Sequence, residues 1–218
     1  NNRSGTPDVE WGQWFSAAGW ILRTVPSLPA PGNHEYSPKG TVPRVITPHW
    51  RRQFTLPENG VPGLEETNYF LDIQAVRVVV LNSNEKQAEQ AAWLDRVLET
   101  NPQRWTVLVF HHPIHSVMKG QDNKALRETW RPVIEKHTVD LALSGDEHSY
   151  GRGKVGKTTY VVSVGGPQMY QVEARPWMQR YGENLQLFQV IRVDGGRLSF
   201  ESRTARSGLY DSFELTKN

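Results

Sequence analysis

The sequence contains no cysteine among its 218 residues, which excludes a disulfide scaffold and any metal site built on thiolates. It also lacks an apolar run of about 18 residues, the length that a membrane-spanning helix requires. No excess of either charge is present, because 25 basic residues face 23 acidic ones, and this balance argues against a dedicated nucleic-acid or membrane surface. The chain is 37% hydrophobic, so it can build a core, and its length favours one domain spanning residues 1–218.

Hydrophobic periodicity predicts strands that alternate with helices and then give way to β-hairpins, the pattern of an α/β fold. The predicted helices span residues 8–22, 86–98 and 122–137. The predicted strands span residues 25–30, 69–73, 76–81, 105–110, 139–143, 159–164, 187–193 and 197–203. Residues 1–7 are predicted to form a loop, and residues 36–68 form a long Pro- and Gly-rich stretch. That stretch is either a lid over a site or a solvated loop with a helical turn around Trp50.

Polar side chains follow three of the predicted strands, at the point where each strand ends. Residues 25–30 lead into Gly-Asn-His-Glu at 32–35, residues 105–110 into His-His-Pro at 111–113, and residues 139–143 into Ser-Gly-Asp-Glu-His at 144–148. Gly32 is expected to take a positive φ and to turn the chain sharply there. Asn, His and Asp side chains are metal ligands, so three such junctions predict a metal site at one edge of a sheet.

These three motifs, in this order, resemble the last three motifs of the calcineurin-like metallophosphoesterases, and most closely the purple-acid-phosphatase-like branch. The resemblance extends through roughly residues 8–166. It implies a four-layer α/β sandwich of two mixed β-sheets flanked by helices, with the N-terminal strands missing. The family also has two earlier motifs, Asp-x-Gly (or Asp-x-His) and Gly-Asp, which supply metal-binding carboxylates and are absent from this sequence. An N-terminal segment or a separate fragment is therefore expected to supply the missing Asp ligands.

The resemblance implies a dinuclear centre of divalent or trivalent ions, Fe, Zn or Mn. Carried over by position, Asn33, His111 and Asp146 would bind one metal and His148 the other. The family's last motif is Gly-His-x-His, and here Asp146 replaces its first histidine. An Asp oxygen also binds Zn, Mn or Fe, but its charge would weaken the Lewis acid and repel an anionic ester. Altered metal selection or rate is the expected consequence.

Two further roles follow from the resemblance. His34 would contact the phosphate and would stabilise or protonate the leaving oxygen, as a general acid does. Glu35 would orient His34 or a water molecule. Each histidine considered alone would more often be structural, and it is the ordered set of motifs that favours these roles.

Three residues beside the motifs are candidates for substrate contact. His115 would reach the substrate or remain a histidine at the rim of the site. Tyr150 and Arg152 would line the phosphate pocket, or would be a packed tyrosine and a solvated arginine. His112 follows the ligand position, and the proline after it favours His111 as the ligand in the aligned pattern.

The predicted function is metal-dependent hydrolysis of phosphate monoesters or diesters, with a phosphorylated small molecule as substrate and no nucleic-acid or membrane partner. The alternative is a binding or scaffold domain of the same fold with a degenerate metal site. Asp146 and the missing upstream acids favour the alternative, whereas the intact Gly-Asn-His-Glu and the histidine motifs favour the enzyme. A structural zinc domain fits poorly, because closed zinc sites usually use Cys at compact spacing. The resemblance also implies a secreted or periplasmic location.

Overall fold

The computed structural model describes residues 7–38 and 40–218; the predicted loop at residues 1–7 lies almost entirely outside this part of the chain. A seven-stranded sheet carries the fold, with strand order β1-β2-β3-β4-β6-β5-β7. Its strands are β1 Tyr69–Ile73, β2 Val76–Val80, β3 Trp105–Val109, β4 Leu141–Ser144, β5 Tyr150–Val155, β6 Thr158–Val162 and β7 Met178–Gly182. The pairs β2–β3, β3–β4 and β4–β6 are parallel, and the other pairs are antiparallel.

The parallel strands occupy the centre of this sheet because both of their faces are apolar. β6 is buried along its whole length, and β3 along all but its last residue. Neighbouring residues of β3 point to opposite faces, so Val107 belongs to one core and Leu108 to the other. The sheet is thus covered on both sides, and its carboxyl edge is left to carry polar groups.

Two helices cover one face of the large sheet. α4 (Gln87–Glu99) connects β2 to β3, and α5 (Lys124–Lys136) connects β3 to β4. They bury Trp93, Leu94, Trp130 and Ile134 in the first core. Each connects two parallel strands, and such a crossover is normally helical and packs back onto the sheet.

A three-stranded sheet covers the other face, with strand order β10-β9-β8. Its strands are β8 Leu187–Asp194, β9 Arg197–Thr204 and β10 Leu209–Thr216. Leu187 and Phe200 of this sheet pack against Val107, Leu141 and Val161 of the large sheet. The predicted α/β fold with two sheets and flanking helices is confirmed. The second sheet is antiparallel rather than mixed, because its strands are consecutive and joined by tight turns.

The segment before the first motif differs from its prediction in two ways. The predicted single helix is divided into α1 (Pro7–Ala18) and α2 (Ile21–Thr24) at Gly19, whose φ of +54° ends a helix. Residues 25–30 run without strand pairing. Pro26 and Pro29 have no N–H to donate to a ladder, which explains why an apolar composition alone does not form a strand here.

The long stretch at residues 36–68 contains α3 (Pro48–Gln53), the helical turn predicted around Trp50. Trp50 is buried, and its indole N–H donates a hydrogen bond to the carbonyl oxygen of Glu66. Arg51 pairs with Glu65 at 3.4 Å. None of the helices in the described residues is both long and apolar enough to span a bilayer.

Candidate metal centre

The candidate site lies where β3 and β4 end side by side. The pairing of these parallel strands continues past their last residues, because the N–H of Phe110 donates to the carbonyl of Leu143 at 3.1 Å and that of Gly145 to His111 at 3.0 Å. His111 and Asp146 therefore emerge next to each other at the carboxyl edge of the sheet, the position where open α/β folds bind ligands.

Besides the ends of β3 and β4, a third segment forms the site: a single turn of 3-10 helix at Asn33–Glu35. Gly32 precedes it with φ −90° and ψ −179°, so the expected positive φ is wrong. Glycine is needed there for space, because a Cβ on Gly32 would lie 3.0 Å from Cε1 of His111 and 2.9 Å from Oε2 of Glu35. That Glu35 oxygen accepts a 2.7 Å hydrogen bond from the N–H of Gly32. Glu35 thus holds the turn closed and keeps Asn33 beside His111.

Three ligand-type atoms from three separate segments converge in the site. Nε2 of His111 lies 3.2 Å from Oδ1 of Asn33 and 3.1 Å from Oδ1 of Asp146. An imidazole nitrogen carries at most one hydrogen, so it cannot donate a full hydrogen bond to both oxygens. One nitrogen and two oxygens at this spacing form a donor set that fits a borderline or hard cation such as Zn²⁺, Mn²⁺ or iron.

The charge of Asp146 supports cation binding. Burial acts to raise the pKa of this carboxyl, but the hydrogen bond from His111 and the charges of His111, His112 and His148 outweigh it. The pKa of Asp146 therefore lies below its ordinary value. The site offers a carboxylate at neutral pH, which is the ionisation state that binds a metal.

His112 joins this donor set, although the sequence pattern favoured His111 over it. Ligand atoms of His111, His112 and Asp146 all lie within 4.8 Å of one another. Burial, followed by the charge of His111, lowers the pKa of His112 to about 4, so the ring is neutral at neutral pH. Nδ1 of His112 is 2.8 Å from Oγ of Ser83, and that same Oγ accepts a 3.0 Å bond from the backbone N–H of His112.

Ser83 was not predicted as part of the site. It lies three residues after β2, the parallel neighbour of β3. The end of a third parallel strand was the signal available in the sequence, since strand ends of a parallel sheet meet at one edge. Tyr170 was also missed, and its loop position between β6 and β7 gives no local signal.

His148 lines the same cleft but does not belong to the tight donor set. The clusters of three or more His and acidic side chains found within the described part of the chain do not include it. Its ring stacks on Tyr170, with 4.8 Å between ring centres and 12° between planes. His148 and Asp146 both have positive φ, +46° and +64°, so their turn is conformationally strained.

The buried carboxylate of Glu147 stabilises this turn by bonding to the loop that follows β3. It accepts hydrogen bonds from Oγ of Ser116 at 2.5 Å and from the N–H groups of Val117 and Met118 at 2.5 and 2.9 Å. The side chain between the two predicted ligands is therefore bound to residues 116–118 and anchors the turn. The fixed turn keeps Asp146 and His148 directed at the cavity.

The cleft has a volume of about 310 Å³. Its lining includes the predicted residues Asn33, His34, His111, Asp146 and His148, together with His112, Met118, Gln121, Asn123, Glu147, Gln168 and Tyr170. His34 also lines a second cavity, on the side of α1 and α3. The structure thus brings together the predicted metal ligands and the predicted catalytic histidine.

Two predicted substrate contacts do not lie on this cleft. His115 is only 9% exposed and packs edge-on against Tyr160 and beside Trp177. It lies inside because Ile114 and Val117 on either side of it are core residues. Tyr150 is fully buried in the second core, and its hydroxyl donates a 2.8 Å bond to Asp211. Neither side chain therefore faces the cleft: the structure places His115 in the core, and Tyr150 matches the alternative of a packed tyrosine.

Arg152, the third candidate beside the motifs, is also held away from the cleft. Its guanidinium pairs with Asp211 at 2.8 Å and its side chain is only 13% exposed. Strand β5 carries Tyr150 and Arg152 past the end of the ligand turn and onto the small sheet. Both side chains therefore lie between the two sheets, and neither the phosphate pocket nor open solvent surrounds them.

Comparison with known proteins gives consistent matches. The family model for calcineurin-like phosphoesterases matches residues 2–150. Purple acid phosphatase 7 of Arabidopsis thaliana is 26% identical over 185 residues, which cover 75% of this chain and 56% of that protein. The uncharacterized protein Rv2577 of Mycobacterium tuberculosis is 28% identical over 166 residues, 65% of this chain and 30% of that protein.

Among solved structures, the purple acid phosphatase PPD1 from yellow lupin (Lupinus luteus) seeds superimposes with a TM-score of 0.76. The superposition covers 96% of this chain and 44% of that one, at 22% identity, so the likeness is one of fold. The chain spans 30% to 56% of the length of these three proteins.

Proposed function

Because this chain belongs to the calcineurin-like phosphoesterase family, whose model matches residues 2–150, we propose that it hydrolyses phosphate esters in a metal-dependent reaction at the cleft. The observation that carries the proposal is that Oδ1 of Asn33 and Oδ1 of Asp146 converge on Nε2 of His111, at 3.2 and 3.1 Å. Acceptor atoms held this close are stabilised when a cation lies between them.

The residues of this chain would hold the metals as follows. Asn33, His111 and Asp146 bind one ion, with His112 adjacent to it, and His148 contributes to the second ion of a dinuclear centre. The ions supply Lewis acidity for the phosphate and a nucleophilic hydroxide near neutral pH. Oxygen and imidazole donors suit Zn, Mn or Fe.

The side chains of the cleft then perform the remaining chemistry. Asn33, His111 and Asp146 would fix the position of the phosphate, because they hold its binding site on three separate segments. Water adds to phosphorus, the P–O bond to the alcohol breaks, and the departing oxygen takes a proton from His34. Glu35 keeps His34 in place through the turn that it closes at the N–H of Gly32. The substrate class is a phosphomonoester or phosphodiester of a small molecule.

The substitution His34→Asn tests this function. We expect kcat for a phenyl phosphate ester to fall by about 10²- to 10⁴-fold, the usual contribution of a general acid, while the metal content per chain stays unchanged. His49→Asn is the matched control, because His49 pairs with Asp8 and is neither among the residues that line the cleft nor in a cluster of candidate metal ligands. A wild-type chain that holds no metal would overturn the proposed function, and an unchanged kcat in His34→Asn would overturn the role of His34.

A binding or scaffold domain with a degenerate metal site is the second candidate. Asp146, which stands where the family has a histidine, is the observation that favours it. Metal stoichiometry by elemental analysis on protein purified without chelator decides between the two. About two ions per chain favour the enzyme, and none favours the scaffold. We also propose that residues 1–218 act as one domain and that the protein is secreted or periplasmic.

A further inference from the structure

A second cavity, which we call the aromatic pocket, opens beside the metal cleft on the side of α1 and α3. Its volume is about 220 Å³. It is lined by Glu10, Trp11, Trp14, Pro29, Ala30, His34, Glu35, Thr47, Trp50 and Phe54. His34 lines both the pocket and the metal cleft. A molecule whose phosphate lies in the cleft can therefore extend past His34 into the pocket.

Aromatic rings from two helices form the walls of this pocket. Trp11 and Trp14 belong to α1, Trp50 to α3, and Phe54 follows α3 directly. The ring of Trp11 lies 5.6 to 6.4 Å, centre to centre, from the other three rings. Trp14 is nevertheless 42% exposed, so the rings leave part of their surface open to solvent. Covering exposed aromatic surface with an apolar group is favourable.

The polar groups of the lining already have partners. Oε2 of Glu35 accepts the N–H of Gly32 at 2.7 Å, and the indole N–H of Trp50 donates to the carbonyl oxygen of Glu66 at 3.0 Å. Glu10 is not without a partner either. These groups do not call for a charged or hydrogen-bonding ligand, and what the pocket offers is mainly its aromatic surface.

The role of His34 determines which part of a substrate reaches this surface. In the proposed reaction His34 protonates the departing oxygen, so the alcohol leaves on the side of His34, where the aromatic pocket lies. An apolar cavity of about 150 Å³ is large enough to bind benzene. A pocket of about 220 Å³ therefore has room for a hydrocarbon group of about six carbons.

From this arrangement we propose that the aromatic pocket binds the alcohol part of the phosphate ester and selects an uncharged hydrocarbon group there. The proposal rests on the proposed function, since the phosphate of the same molecule lies in the metal cleft. In the reaction, the oxygen of water forms a new bond to phosphorus and the P–O bond to the alcohol breaks. His34 gives its proton to the alcohol oxygen, and the proton of the attacking water passes to solvent.

Two esters of equal length test the proposal. Hexyl phosphate ends in a methyl group, and 6-hydroxyhexyl phosphate ends in a hydroxyl that would lose its water in the pocket. Both are esters of primary alcohols, so their leaving groups are equally reactive. We expect kcat/KM for hexyl phosphate to exceed that for the hydroxylated ester by about tenfold.

Substitutions at two tryptophans connect this preference to the pocket. Trp14→Ser removes an aromatic wall and should reduce the preference, whereas Trp14→Phe keeps an aromatic ring there and should retain most of it. Trp20→Ser is the matched control, because Trp20 is 72% exposed and is not among the residues that line the pocket. Its preference should equal that of the wild type. A preference that survives in Trp14→Ser would contradict the assignment to this pocket.

Binding of the free alcohols separates this inference from the proposed function. Tryptophan fluorescence of the metal-free protein is titrated with 1-hexanol and with 1,6-hexanediol. Saturable binding of 1-hexanol that weakens in Trp14→Ser supports the pocket even if no ester is hydrolysed, and in that case only the proposed function fails. Equal or tighter binding of 1,6-hexanediol overturns the inference. So does hydrolysis of the two hexyl esters without a preference, and the proposed function then stands alone.

Discussion

Two polar clusters in this protein contain similar side chains but differ in their hydrogen bonding: in one every acceptor has a donor, and in the other it does not. In the cluster on β5 and β10, the carboxylate of Asp211 accepts bonds from the hydroxyl of Tyr150, from Nε and Nη2 of Arg152 and from the N–H of Ser212, all at 2.8 to 2.9 Å. A carboxylate has about four acceptor positions, and each of these has a donor. In the metal cleft, one nitrogen of His111 faces the oxygens of both Asn33 and Asp146.

The difference teaches how to separate a structural polar cluster from a ligand site. The cluster at Asp211 is complete with protein atoms alone, and it packs the small sheet against the large one. In the cluster at His111, two acceptor oxygens face one ring nitrogen, which carries at most one hydrogen. Its side chains are about a quarter exposed, so either water or a cation can satisfy the remaining acceptor. Acceptors that converge from separate segments at an open cleft are therefore the feature that points to a ligand site.

Removing the central residue of the cleft should give the largest effect. In His111→Ala we expect the metal content of the first site to be lost and kcat/KM for phosphate esters to fall on the order of 10³-fold, because a metal contributes several kcal/mol to transition-state stabilisation. Elemental analysis and steady-state kinetics on the same preparation measure both. His49→Ala, at a histidine that pairs with Asp8 and lies outside both the cleft lining and the clusters of candidate metal ligands, should retain full metal content. Full metal content in His111→Ala would contradict the assignment.

Breaking the complete cluster should change stability and leave metal binding intact. In Asp211→Ala the guanidinium of Arg152, whose side chain is 13% exposed, loses its paired charge. We expect the free energy of unfolding to fall by about 3 kcal/mol, as for other buried pairs that lose one partner. Urea titration measures this, and Asp194→Ala in the exposed β8–β9 turn is the control. A loss of metal at unchanged stability would show that the two clusters are not independent.

His115, which lies outside the cleft, should affect the pH dependence of stability and not the activity. Burial, followed by the charges of Arg127 and Arg131, lowers the pKa of His115 to about 4. The unfolded chain binds this proton near pH 6.5, so between these values the unfolded state holds more protons than the folded state. The free energy of unfolding should therefore decrease as the pH falls from about 6.5 to about 4, by roughly 2 kcal/mol from this residue.

His115→Phe tests that pH dependence. Phenylalanine fills the space beside Tyr160 and Trp177 but does not titrate, so the stability of the variant should decline less between pH 6.5 and 4. Because His112 has a similarly low pKa, the comparison is between variant and wild type at each pH, and not between absolute slopes. Parallel curves for the two proteins would contradict the expected role. Glu135 and Asp122 also act on His115 and are unchanged in both proteins.

The sequence was sufficient to predict those parts of the fold that hydrophobic patterns determine. β1, β2 and β3 and the helices α4 and α5 were predicted within two residues at their ends, because each has a buried face of its own. Strands β5, β7 and β10 were missed; the middle residues of β7 are exposed and polar, so they carry no hydrophobic pattern. Residues 25–30 were predicted as a strand that does not form, because pairing depends on a partner that a local pattern does not contain.

The candidate site was predictable to the extent that strand ends determine it. His111 and Asp146 lie beside each other because β3 and β4 are adjacent and parallel. His115 was misplaced because the chain turns inward after Pro113, and a histidine six residues past the end of β3 can face either side. Gly32 was correctly identified as necessary, but for the wrong reason. The fold requires a residue without a Cβ there, because of the space that His111 and Glu35 occupy, and does not require a positive φ.

The smallest effect should come from changing the charge of the cleft while keeping its geometry. Asp146 adds a negative charge beside the position of an anionic ester, and it weakens the Lewis acidity of the ion it binds. We expect Asp146→His to raise kcat/KM by about tenfold and to shift metal preference toward ions that favour imidazole. Asp146→Asn separates the two causes, because it removes the charge but keeps an oxygen ligand. If charge dominates, Asn raises the rate as His does; if ligand type dominates, only His does. An unchanged rate and metal content in Asp146→His would show that the surplus acceptor at this position has no bearing on the bound ion.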